Sequence, residues 1–131
     1  MLFITGLYAS ILALIIIWLC YQVVSFRRTK RVDIGDGGDS TGIRHIRAQQ
    51  NAVEYIPIAM ILFAAYELNG GNHWLLHGIG IALVLGRLIH PSGLVNGKGA
   101  TFGRFYGTLI TWLVILLLAG LNIGKYISTL I

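Results

Sequence analysis

The sequence predicts an all-α membrane protein, a bundle of four transmembrane helices. The chain has 131 residues, of which 56% are hydrophobic and 11% are charged, and its mean hydropathy is +0.75. A soluble domain of this length could not hide that much apolar surface. Four hydrophobic segments alternate with polar connections. Each segment is close to the length that crosses about 30 Å of hydrocarbon at about 1.5 Å per residue.

The four hydrophobic segments follow one another along what we expect to be a single domain, residues 1–131. They cover residues 2–26, 46–68, 73–90 and 104–124. The first lacks a basic leader and is too long for a signal peptide, so we expect a retained span. The NGGN turn at 69–72 predicts an antiparallel hairpin of the second and third spans. In the third span, His77 is expected to form an interhelical hydrogen bond.

The basic residues of the chain are concentrated between hydrophobic segments. The net charge is +5, from 10 Lys and Arg against 5 Asp and Glu. Most of these cations lie within or at the borders of the first and third connections: Arg27, Arg28, Lys30, Arg31, Arg44, Arg47, Arg87, Lys98 and Arg104. The positive-inside rule places both connections in the cytoplasm and both termini outside. Because topology explains the charge, we expect no nucleic-acid partner. Cys20 belongs to no metal motif, and no metal site is expected.

The second segment carries four polar side chains on one side. At about 100° per residue, Asn51 lies roughly 40° from Arg47, and Glu54 roughly 20° to the other side. Tyr55 lies at about 80° on the same arc. Ionisable groups in hydrocarbon cost at least a few kcal/mol unless they face the protein interior and find partners. The pattern therefore predicts a surface that binds something small, polar and zwitterionic.

These residues complete the motif R-x-x-x-N-x-x-E-Y-x-P, which ends at Pro57. In this motif the chain resembles the MAPEG family, the membrane-associated proteins of eicosanoid and glutathione metabolism. The stretches QVVSFRR at 22–28 and GRLIHPSG at 86–93 are similar to further family segments. The resemblance extends over essentially the whole chain and is closest to the small bacterial members, so a bacterial inner membrane is the expected location.

The resemblance implies a homotrimer that binds glutathione as a cosubstrate between neighbouring subunits. The positions that match glutathione contacts are Arg27, Arg47, Gln49, Asn51, Glu54, Tyr55, Arg87 and His90. Arg104 matches the arginine that stabilises the glutathione thiolate, and Arg28 the arginine that assists the second substrate. Two positions depart from the family pattern. His90 stands where the synthases have a tyrosine, and Leu94 where a second tyrosine often occurs.

The residue types suit this chemistry. Arginine forks bind carboxylates in a bidentate way, Glu54 can accept from an ammonium group, and a guanidinium near sulfur favours the nucleophilic thiolate. We therefore expect a glutathione-dependent transferase or peroxidase that acts on a lipophilic electrophile arriving from the lipid. Arg28 or His90 would supply or shuttle a proton.

Three other interpretations remain open from the sequence. Arg47 and Glu54 can form an internal salt bridge that only fixes helix packing. The chain can be a non-catalytic lipid-binding or scaffold protein of the same family. A small multidrug exporter also has four spans in a short chain, but it requires an acidic residue in the first span, which is absent here.

Overall fold

The computed structural model describes residues 1–96, 99 and 101–130. Lys98, one of the basic residues that predict the orientation in the membrane, lies outside the described residues. The chain forms four helices: α1 (Phe3–Lys30), α2 (Ser40–Leu68), α3 (His73–Asn96) and α4 (Phe102–Ile127). All four are long and apolar enough to cross a membrane. The predicted fold class, a four-helix membrane bundle, is confirmed.

The antiparallel order of the helices gives the bundle two distinct ends. The basic end carries the α1–α2 and α3–α4 connections. The short-turn end carries both chain termini and the predicted turn between α2 and α3, where Gly70 has a φ of 69°. The expected hairpin of α2 and α3 is thus present.

The connection between α1 and α2 is fastened by a helix cap. Asp39 precedes α2, and its carboxylate accepts the backbone N–H of Thr41 at 2.8 Å. The same carboxylate lies 3.2 Å from the Lys30 ammonium at the end of α1. The Thr41 N–H, followed by the Lys30 ammonium, lowers the pKa of Asp39 because both favour the ionised carboxylate. Local hydrogen bonds therefore set where α2 begins.

The helices are longer than the hydrophobic segments, most of all at the basic end. The third segment was expected to run to about residue 90, but α3 continues through Pro91 to Asn96. Proline cannot donate a backbone hydrogen bond and usually disturbs a helix interior. Here the Ser92 hydroxyl donates to the Ile89 carbonyl at 2.7 Å, and Gly93 packs directly against the backbone of α4. This packing supports the extra turn.

The core is a column of side chains spaced three, four or seven residues apart along each helix, as expected for packed helices. Small residues of α2 alternate with larger ones from its neighbours, and the fully buried apolar positions are Leu12, Ala48, Ala52, Ala59, Phe63, Leu76, Leu83 and Leu118. Large apolar side chains are also exposed on the outer faces of all four helices, for example Leu14, Ile61, Ile81 and Leu116. Such an apolar exterior suits contact with lipid.

A buried carboxylate joins α1 and α2 at the short-turn end. Glu67 accepts the backbone N–H groups of Ile4 and Thr5 at 3.0 and 2.7 Å and the Thr5 hydroxyl at 2.5 Å. The carboxylate lies at the first turn of α1, where backbone N–H groups have no acceptor within the helix, and it supplies that acceptor. The Glu67 clasp, meaning these three hydrogen bonds, fastens the start of α1 to the end of α2. Sequence patterns gave no sign of it.

A second polar contact joins α1 and α3 near the same end. The Tyr8 hydroxyl lies 3.0 Å from His77 Nδ1 and donates to the His77 carbonyl at 3.1 Å. Gly80 faces the Tyr8 ring, where a Cβ atom would lie 2.5 Å from ring carbons. The interhelical role expected for His77 is confirmed.

We predict that Glu67→Gln lowers the free energy of unfolding by about 1–3 kcal/mol, because one buried N–H or O–H group then loses its acceptor. Thermal unfolding in detergent, followed by helical circular dichroism, would measure the loss. Glu54→Gln is the matched control, since the Glu54 side chain is 54% exposed. Equal transition midpoints for the two variants would show that the clasp contributes nothing to stability.

Candidate functional site

Glycines bring α3 and α4 into near backbone contact at the basic end. A Cβ atom at Gly107 would lie 2.6 Å from the Cβ atom of His90, and one at Gly103 would lie 2.5 Å from the Ile89 carbonyl oxygen. Gly93 faces the backbone amide of Arg104. Only residues without a side chain permit this approach. Because the helices touch here, His90 and Arg104 lie at the same level of the bundle.

An open cleft of about 390 Å³ lies between α2, α3 and α4 at this level. Its lining, which we call the polar cleft, consists of Ile43, Arg44, Arg47, Asn51, His90, Leu94, Arg104 and Thr108. The structure thus brings together Arg47, Asn51, His90 and Arg104 from the predicted set. It adds Arg44 and Thr108, which sequence reasoning had not assigned. Three arginines at one cleft favour an anionic ligand.

Arg87 lies beneath the polar cleft and is fully buried. Its Nη2 atom donates to Asn51 Oδ1 at 2.7 Å, and its Nη1 atom donates to Thr111 Oγ1 at 3.4 Å. Among the described residues, its Nε atom has no hydrogen-bond partner and no carboxylate lies within 4.0 Å of the guanidinium. Arg87 therefore supports the cleft and adds uncompensated positive charge below it.

The Arg87 contact also determines what Asn51 offers to a ligand. Because the Asn51 oxygen accepts from Arg87, the amide nitrogen with its two N–H donors is the group left for a ligand. A side chain that faces the polar cleft with N–H groups suits a carboxylate or carbonyl oxygen. The position of Arg87 on α3 thus orients the amide of Asn51 on α2.

His90 is 3% exposed, and its Nδ1 atom has no partner among the described residues. A buried imidazole nitrogen without a hydrogen bond is uncommon in folded proteins. Together with its place in the lining of the polar cleft, this leaves the His90 ring able to exchange a proton or a hydrogen bond with a ligand.

Arg47 and Glu54 point outward from the bundle and are loosely paired. The closest nitrogen and oxygen are 4.0 Å apart, and the two side chains are 55% and 54% exposed. Arg47 also donates to Gln50 Oε1 at 2.9 Å. A pair this long and exposed contributes little to packing, which weakens the interpretation of an internal salt bridge. Gln49 and Tyr55 are half-buried and do not line the polar cleft.

Arg27 and Arg28 lie elsewhere in the same chain. They line a separate depression at the end of α1, together with Arg31, and no lining residue is shared with the polar cleft. The Arg27 Nε atom donates to the Gly35 carbonyl at 3.2 Å. In the described part of the chain α1 packs against α2 and α3 and makes no contact with α4. Within the chain, these arginines are therefore not brought to Arg104.

An apolar groove adjoins the polar cleft on the outer face of α4. This groove is also about 390 Å³ and is lined by Arg104, Phe105, Thr108, Leu109 and Trp112. Arg104 and Thr108 belong to both linings. The Arg104 guanidinium therefore lies between an apolar surface and a cationic surface. Its Nη1 atom donates to the Gly99 carbonyl at 3.3 Å.

The residues that sequence reasoning missed follow from helical spacing. Arg44 lies three residues before Arg47 on α2, and Thr108 lies four residues after Arg104 on α4. Residues three or four apart share a helix face. A search along the faces of the two predicted arginines would have found both.

The sequence of the chain is similar to those of known membrane proteins. The model of the MAPEG family matches residues 5–124. The chain belongs to the MAPEG family. It is also 39% identical over 120 residues to the inner membrane protein YecN of Escherichia coli K12, covering 92% of this chain and 90% of YecN. The YecN protein of Escherichia coli O6:H1 matches equally.

Membership of the MAPEG family confirms the resemblance seen in the motif at Arg47–Pro57. The name of the relatives states a location and no reaction. Together with four helices that can span a membrane, it supports a multi-pass inner membrane protein.

We predict that Gly107→Ala lowers the free energy of unfolding by about 1–3 kcal/mol, because a methyl group would force α3 and α4 apart. Gly120→Ala on the same helix is the matched control, since a Cβ atom there meets nothing within 4 Å. Thermal unfolding in detergent measures both variants. A Gly107→Ala protein as stable as the Gly120→Ala protein would refute the close approach.

Proposed function

We propose that this protein is a membrane-bound, glutathione-dependent transferase or peroxidase. The observation that carries the proposal is the polar cleft, in which three arginines and an oriented asparagine surround a space of about 390 Å³ inside an otherwise apolar bundle. Charged side chains in a membrane-spanning segment cost free energy unless a ligand or partner uses them. Family membership supports the same conclusion, because the family includes glutathione transferases.

Glutathione has two carboxylates, one ammonium group and one thiol. The cleft, together with Glu54 on the exposed face of α2, offers a counterpart for each. Arg44 and Arg47 provide guanidinium forks for carboxylates. The Asn51 amide donates from the floor of the cleft, and Glu54 accepts from the ammonium group. The loose Arg47–Glu54 pair supports this assignment, because both side chains are accessible to a ligand.

Arg104 is the residue we assign to the thiol. A guanidinium beside sulfur favours the thiolate, which is the reactive nucleophile. In a conjugation, the thiolate attacks an electrophilic carbon and a carbon–sulfur bond forms while the bond from that carbon to the leaving group or ring oxygen breaks. A proton then passes to the departing atom. In a peroxide reduction, the thiolate attacks one peroxide oxygen and the O–O bond breaks, which gives an alcohol and a glutathione sulfenic acid. A second glutathione thiol then displaces water from the sulfenic acid and forms the disulfide. His90, at the same cleft, holds or delivers the proton.

The apolar groove beside Arg104 is suited to a lipophilic electrophile. Phe105 and Trp112 are exposed on the outer face of α4 and Leu109 lies between them, so a substrate dissolved in lipid would reach the thiolate without crossing water. Transfer of an apolar substrate into such a groove is favourable at roughly 25 cal/mol per Å² of buried apolar surface.

The remaining predicted residues suggest a complete site between subunits of a homotrimer. Arg47 and Glu54 are half-exposed on the outer face of α2, and Arg28 lies on a different surface of the same chain. A neighbouring subunit that covers α2 would shield the charges from lipid and supply Arg28, as well as Arg27, to the cleft. In the orientation we propose, the basic end is cytoplasmic and both termini are periplasmic.

A second candidate function is non-catalytic lipid binding or scaffolding. The apolar groove on α4 favours it, because an acyl chain could occupy the groove without any reaction. Glutathione affinity and turnover separate the two functions.

We predict that glutathione binds the detergent-purified protein saturably, and that Arg47→Ala and Glu54→Ala each weaken binding by about tenfold or more through loss of a charge-assisted hydrogen bond. Isothermal calorimetry measures the affinity. Lys125→Ala, at the opposite end of the bundle, removes a basic side chain without touching the cleft and should leave affinity unchanged. No binding at millimolar glutathione would favour the lipid-binding function or another thiol.

We further predict that Arg104→Ala reduces thiolate formation on bound glutathione about tenfold or more at neutral pH, since the thiol would lose its neighbouring cation. The ultraviolet absorbance of the thiolate, recorded during titration with glutathione, measures the effect. Thr108→Val, one turn further along α4, is the control for packing at the cleft. Unchanged thiolate in Arg104→Ala would remove Arg104 from this role.

A further inference from the structure

A second polar cavity lies at the short-turn end, where α2 and α4 finish. It measures about 340 Å³ and is lined by Asn69, Asn122, Lys125, Tyr126, Ser128 and Thr129. We call it the short-turn pocket. It shares no residue with the polar cleft or the apolar groove, and the proposed reaction makes no use of it.

The Asn122 side chain in the wall of this pocket is held in one orientation. Its Nδ2 atom donates to the Leu62 carbonyl at 2.9 Å and to the Leu118 carbonyl at 2.8 Å. Rotating the amide would set its oxygen against two carbonyl oxygens, so the donor assignment is fixed. The buried Oδ1 atom has no partner among the described residues. Asn122 therefore presents an unused acceptor.

Two hydroxyl groups of the pocket, those of Ser128 and Thr129, are also acceptors. Ser128 Oγ donates its proton to the Lys125 carbonyl at 2.7 Å, and Thr129 Oγ1 donates to the Tyr126 carbonyl at 2.7 Å. With their protons engaged, both oxygens offer only lone pairs to a ligand. The carboxyl ends of α2 and α4 meet here and contribute partial negative charge. The pocket is thus suited to a cationic group with several N–H donors.

Lys125 adds one positive charge at the rim. Its Nζ atom donates to the Gly70 carbonyl at 3.3 Å, which holds the ammonium group across the gap between α4 and the turn. Two of its N–H donors remain for an anion. The pocket therefore combines an acceptor-rich interior with a single cation at its edge.

From this arrangement we infer that the short-turn pocket binds the ethanolamine headgroup of a phospholipid. The primary ammonium lies among Asn122 Oδ1 and the two hydroxyl oxygens, and the phosphate lies beside Lys125. The exposed apolar side chains of Ile123 and Ile127 on the adjoining face of α4 are positioned to contact the acyl chains. Because the pocket sits where the spans end, a headgroup reaches it from the membrane surface. The inference is independent of glutathione chemistry.

Native mass spectrometry of the detergent-purified protein, titrated with lipids of identical acyl chains, tests this inference. Phosphatidylethanolamine should bind at least about fivefold more tightly than phosphatidylcholine, whose quaternary ammonium has the same charge but no N–H donor. Free phosphoethanolamine at millimolar concentration should displace phosphatidylethanolamine, and phosphocholine should not. Displacement by neither soluble headgroup would assign retention to the acyl chains and overturn the inference.

Substitutions in the short-turn pocket test whether the phospholipid headgroup binds there. Asn122→Leu and Ser128→Ala should each remove most of the preference for ethanolamine over choline, whereas Lys125→Ala should weaken both lipids through loss of the phosphate contact. Because Ser128 is exposed, we expect Ser128→Ala to fold like the unsubstituted protein. Arg31→Ala, at the basic end, is the matched control for charge. Equal binding of the two lipids, or a preference that survives both Asn122→Leu and Ser128→Ala, would show that the pocket does not recognise the headgroup.

Discussion

The buried guanidinium of Arg87 imposes the constraint on which the polar half of the bundle depends. A cation without water costs several kcal/mol unless hydrogen bonds compensate. Asn51 on α2 and Thr111 on α4 supply those bonds. Both helices must therefore approach α3 at one register, since a shift of one residue would turn either acceptor away. The polar cleft lies directly above this contact and takes its geometry from it.

Glycine provides the space that this register requires. Where Gly103 and Gly107 face α3, the two helices meet backbone to backbone, and the room for polar side chains lies to one side of the contact. The apolar groove lies on the outer face of α4. Arg104 stands at the boundary, accessible from both surfaces. Close packing at one point thus creates the two neighbouring surfaces that the proposed reaction needs.

Sequence reasoning predicted the spans, the hairpin turn and two residues of the polar cleft on α2, Arg47 and Asn51, because hydropathy and helical periodicity are local signals. Four predicted residues from three helices meet at the cleft: Arg47, Asn51, His90 and Arg104. The continuation of α3 beyond Pro91 was not predicted, since it depends on packing against α4. Arg27 and Arg28 could not be placed either, because their predicted role requires a second subunit. The Glu67 clasp joins residues more than 60 positions apart, which no local pattern reveals.

The Glu67 clasp has a consequence for how the protein enters the membrane. Its carboxylate is near the end of α2, and its partners are near the start of α1. The three hydrogen bonds can form only after α2 has crossed to its full depth, and a carboxylate left in hydrocarbon is costly. A chain in which α2 stops one turn short leaves both the acid and the amides of α1 unpaired. The clasp therefore makes the fully inserted pair of α1 and α2 more stable than a pair in which α2 stops short.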